Sequence, residues 1–92
     1  MLSFDIESKI DVLLELQELH QKTVEELEAC SFEEHIIASK TLACRIKVEI
    51  VNPLINAIEI CETVNEIGQE NIPTELFNRW SVLIDEAIDI AR

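Results

Sequence analysis

One glycine, two prolines and no tyrosine occur in the 92 residues of this chain. Phosphate loops, dinucleotide fingerprints and calcium loops each need glycine at fixed places, so a lone Gly68 excludes all three. Tight hairpins and barrels use glycine, proline and aromatic residues at their turns, and they are excluded with them. Basic residues are scarce as well: seven Lys and Arg stand against nineteen Asp and Glu, a formal charge of -12. A field of that sign repels phosphate, so the sequence predicts no direct nucleic-acid binding and no binding to an anionic membrane surface.

Long apolar runs are missing too. The longest stretch free of charge, Ile50 to Ile58, falls far short of the about 20 residues that cross a bilayer. Asp5 and Glu7 occupy the start, where a secretory signal would place base followed by an apolar core. Three cysteines, Cys30, Cys44 and Cys61, are odd in number and widely spaced, which predicts reduced thiols and a cytoplasmic protein. There is no Cys-x-x-Cys and no His-x-x-x-His, and Gln17 and Phe32 stand three residues before the two histidines, His20 and His35. Zinc and di-iron patterns both fail, and the expectation is no metal, no cofactor and no catalytic residue.

What is present is apolar residue at helical spacing, 48% of the chain, with 28% charged. The expectation is an all-α single domain over residues 1–92, an antiparallel bundle of three helices. The first, over about 4–30, has Ser3 as cap and Asp5 and Glu7 in its first turn. Its stripe is Ile6, Ile10, Leu13, Leu16, His20, Val24 and Leu27, widened by Leu14 and Leu19. Ser31-Phe32-Glu33-Glu34 matches a capping box and opens the second helix, over about 32–67, kinked or broken at Pro53. Gly68 ends it, and the third, over about 74–91, buries Leu76, Phe77, Trp80, Leu83, Ile84, Ala87 and Ile88.

The middle helix would be ~55 Å long at 1.5 Å per residue, and apolar residues ring much of it. Such a helix wants neighbours on most sides, so the bundle is expected to be completed by oligomerisation, as a homodimer or larger symmetric assembly. Its most apolar face is a candidate interface: Ile37, Cys44, Val48, Val51 and Ile55, with Lys40, Arg45 and Lys47 at the margins. Residues 31–52 are charge-neutral while residues 1–30 carry -6. Ion pairs within the chain between that basic cluster and helix one are the ordinary reading, and a partner is the other.

A hairpin turning near residue 31 would set His20 opposite Thr41, within a turn of Cys44. That pair could activate a thiol, against the commoner case of a core histidine and a small buried cysteine. His35 reads as a surface residue and Trp80 as a core anchor. In size and acidity the chain is similar to secretion chaperones, immunity proteins and phage-encoded inhibitors, a resemblance that carries no residue across. The function expected is a non-enzymatic protein-interaction module: adaptor, chaperone or inhibitor. An acidic nucleic-acid mimic and a thiol site at Cys44 and His20 are the alternatives. Crowded carboxylates also predict a higher Tm at about pH 5.5 than at about pH 8 in low salt, the gap narrowing as salt screens them. A flat profile in a thermal melt would mean that paired carboxylates dominate.

Overall fold

A computed structural model describes residues 2–92, with side chains from Ile6 onward. The expected Ser3 cap and the Asp5 first-turn carboxylate lie outside the described side chains. The described chain is helical, without strands. Helix α1 spans Leu2–Glu28, α2 spans Ile36–Ile46 and α3 spans Asn52–Ile67. A π-helical turn, Lys47–Val51, joins α2 to α3 without interruption, and α4 spans Thr74–Ala91 after a short 3-10 turn, Gln69–Asn71. Three helical rods result, because α2, the π turn and α3 form one.

The π turn has a local cause in proline. Pro53 offers no backbone donor, and in a regular helix its ring would press on the carbonyl four residues back. Here the Asn52 amide reaches the Lys47 carbonyl, five residues back, which widens the turn just ahead of the proline. Asn52 keeps helical dihedrals, so the helix neither breaks nor restarts there. Gly68 closes α3 at φ 90°, donating its amide to the Val64 carbonyl. A Cβ there would meet the Glu70 carboxylate at 2.9 Å, so glycine suits the site both by dihedral and by space.

Helix α1 packs antiparallel along the whole middle rod. Helix α4 packs on α3 and α1, reaches the π turn and makes no comparable contact with α2. The molecule therefore measures 54 × 20 × 19 Å with a radius of gyration of 15.9 Å, against about 12 Å for a compact chain of this length. One half holds three helices around a core of Leu13, Leu54, Ala57, Cys61, Val64, Phe77, Ile84 and Ala87. The other half is a two-helix hairpin with a small core of Val24, Ala43 and Val51, flanked by Leu27 and Ile46.

Several expectations are corrected. The Ser31–Glu34 capping box does not form: α2 begins at Ile36, and His35 stands before it without a side-chain cap. The His35 amide instead bonds the Phe32 carbonyl at 2.9 Å, which commits those residues to a turn of their own. The longer connection shifts the hairpin register, and Val24 packs with Ala43 and Val51. Leu14, Leu19 and Leu83 are exposed rather than core. Leu14 and Leu19 lie beyond the two neighbours of α1.

Candidate interaction surface

The half-length reach of α4 creates the site. Helix α2 has α1 on one side and turns Ala43 and Ile46 toward it. Half a turn round the helix, Ile37 is 81% exposed and Val48 59% exposed, and Cys44 is exposed between them. Ile37 and Val48 would each gain ~1.5–3 kcal/mol by full burial, and a contiguous apolar row is what a contact surface offers. Lys40, Thr41, Cys44, Arg45, Val48 and Glu49 line a shallow, mainly apolar groove there. The Thr41 hydroxyl donates to the Ile37 carbonyl at 2.8 Å, which satisfies it without a partner.

Charge around the groove is partly spoken for. Lys47 reaches the Glu28 carboxylate of α1 at 2.6 Å, as the within-chain reading expects. Arg45 lies 3.5 Å from Glu49, one turn along its own helix. Both pairs are solvent-exposed and contribute little to stability. Lys40 is exposed and has no ion-pair partner among the described residues.

The eight residues of the expected interface thus divide. Ile37, Lys40, Cys44, Arg45 and Val48 share one exposed face, and Lys47 sits at its edge, half-buried against α1. Ile55 follows beyond the π turn at 36% exposure. Val51 does not belong with them: it is 3% exposed, in the core with Val24 and Ala43. The face read from the sequence missed that Val51 turns toward α1, where Val24 packs with it.

His20 and Cys44 do not form a pair. The His20 imidazole is 2.7 Å from the Ala91 carbonyl, so its Nε2–H donates to the last turn of α4, where carbonyls lack helical partners. Cys44 faces solvent on α2. Helix α4, which no local pattern places beside residue 20, supplied the partner. His35 is exposed and Trp80 packs against the main core.

The three thiols differ in environment. Cys61 is fully buried. That burial, partly offset by the Lys9 ammonium and reinforced by Glu62, pushes its pKa up to about 11. The nearby Ser39 hydroxyl, and then the Phe32 backbone amide, hold the Cys30 pKa below the usual thiol value. Labelling dilute native protein with a maleimide at about pH 7 should therefore modify Cys30 and Cys44 while sparing Cys61, which reacts on unfolding. Peptide mapping reads this directly, and fast native labelling of Cys61 would mean that the three-helix core opens.

Sequence reasoning missed a second groove, between α3 and α4, lined by Pro53, Ala57, Ile60, Leu83, Ala87 and Ile90 among others. The signal was available in Leu83 and Ile90, seven residues apart and on one helical face. No cluster of His, Cys, Asp and Glu suited to a metal exists among the described residues. Nor is any helix among them long and apolar enough to cross a membrane. No family model, curated protein or solved structure matches the chain.

Proposed function

We propose that this protein is a non-enzymatic interaction module, an adaptor, chaperone or inhibitor, that binds a protein partner on the exposed face of α2. The observation that carries it is the apolar row Ile37, Cys44 and Val48 standing in water beside Lys40 and Arg45. An apolar centre with a charged rim is the usual construction of a protein interface. The partner, whether another protein or a further copy, supplies the helix neighbour that α4 does not. The π turn at Lys47–Val51 supports a bend of the middle rod ahead of Pro53, since such turns commonly mark kinks. The reading also holds that the protein works in the cytoplasm and needs no cofactor.

Affinity capture with the wild-type chain and with Val48→Glu tests it. The wild type should retain a binder that the variant loses, with the helical circular-dichroism signal unchanged. Equal retention by both would overturn the assignment of this face.

The acidic mimic remains a second reading because the outer face of α1 exposes Glu7, Asp11, Glu15, Glu18 and Glu25. A partner held by those carboxylates would be released steeply by added salt, whereas groove binding would change little.

A further inference from the structure

The hairpin carries two grooves of opposite character, and neither includes a residue of α4. The groove on α2 is mainly apolar, with Lys40 beside it and Arg45 paired to Glu49 at its margin. The groove on α1 is lined by Leu14, Gln17, Glu18, Gln21, Lys22 and Glu25, with Leu14 44% exposed. Glu18 and Glu25 are exposed there and have no ion-pair partner among the described residues. Lys40 has none either. Thus one chain presents a partly apolar helix face with two carboxylates unpaired and a more apolar one with the Lys40 ammonium unpaired.

Two surfaces of that kind on one hairpin complement each other only between molecules, because within the chain α1 and α2 already meet through Val24 and Ala43. A two-fold axis lets each surface be used twice and closes the assembly. We propose that the occupant of the α2 face is a second copy of this chain. The two α1–α2 hairpins stack, α1 of each lying along α2 of the other, in a four-helix bundle that extends from the hairpin end past the end of α4 to Leu14. Glu18 and Glu25 then face the other copy's Lys40, while Leu14 meets the Ile37–Val48 row. Elsewhere, residues 53–70 carry four acids and no base. Like charge there disfavours contact between copies through that segment. This inference rests on the α2 face being an interface and names its partner.

Charge reversal tests it, because the two halves of the contact sit on different helices. The wild type should show twice the 10.5 kDa chain mass by light scattering at tens of micromolar in low salt. Lys40→Glu alone should set a new carboxylate against Glu18 and Glu25 of the other copy. The double variant Glu18→Lys, Glu25→Lys should oppose ammonium groups to Lys40. Each alone should weaken dimerisation roughly tenfold or more, with circular dichroism confirming the fold. Mixing the two variants in equal amounts restores opposite charges across the contact, so the dimer mass should return.

A dimer that both variants form as well as the wild type does would overturn the arrangement, as would variants that dissociate but fail to recover on mixing. A monomeric wild type would overturn the second copy as occupant. The interface reading itself would then stand or fall on whether Val48→Glu loses a captured protein.

Discussion

Val51→Glu is expected to unfold the hairpin half of the molecule, while Val48→Glu, three residues away, leaves the fold intact. Val51 is 3% exposed against Val24 and Ala43, with Leu27 and Ile46 around them. A carboxylate there loses its water and gains no cation, at a cost of ~3–5 kcal/mol for an uncompensated buried charge. The cluster is small and a domain of this size has only ~5–15 kcal/mol in total, so the loss is a large fraction of the whole. Circular dichroism should show reduced helix content or a much lower Tm for the Val51 variant. Val48, 59% exposed, should accept Glu with stability changed by less than about 0.5 kcal/mol. Equal tolerance at both positions would mean that the α1–α2 hairpin is not packed as described.

That contrast shows where the sequence was legible. Helical period identified all three rods, and α4 begins and ends at Thr74 and Ala91 as the cap residues and the spacing predict. It also placed Leu13, Val24, Ile84 and Ala87 in the core. The first failures share a physical origin: period tells which residues share a face, not how many neighbours that face receives. Leu13 and Leu14 are adjacent leucines, yet Leu13 is fully buried and Leu14 is 44% exposed. What separates them is the arc of α1 that the middle rod and α4 cover.

Connection length is the second hidden variable. Residues 29–35 are spent on turns held by Cys30 to Leu27 and His35 to Phe32 backbone bonds, and a capping-box motif does not reveal that they will be. The resulting register moved His20 away from Thr41. Its bond to Ala91 spans 71 positions and depends on the packing of α4, which no local pattern encodes. For the candidate surface, the composition of the α2 face was readable from spacing and charge. That Val51 turns toward α1 was not, because spacing does not say which side of the middle rod α1 will take.

Leu54→Ala is expected to be the most damaging neutral substitution in the chain. Leu13, Leu54 and Ile84 come one from each rod, all three are fully buried, and they belong to the same cluster. Leu54 follows directly on Pro53, at the level where α4 ends and the three-helix half begins. Removing its isobutyl branch sacrifices the transfer energy of the lost atoms and leaves a cavity between helices whose spacing other side chains hold. Substitutions of this kind cost ~2–5 kcal/mol, the higher values where the site cannot collapse. At ~4–8 °C per kcal/mol for a domain of this size, the melt should move by tens of degrees or disappear. Leu83→Ala, on the exposed side of α4, is the matched control: the same atoms are deleted from a residue 46% exposed, and the melt should move by only a few degrees. A small shift for Leu54→Ala, comparable to the control, would place the junction of the three helices elsewhere along the middle rod. A large shift for Leu83→Ala would instead mean that the α3–α4 groove is covered, by another chain, in the protein as it stands in solution.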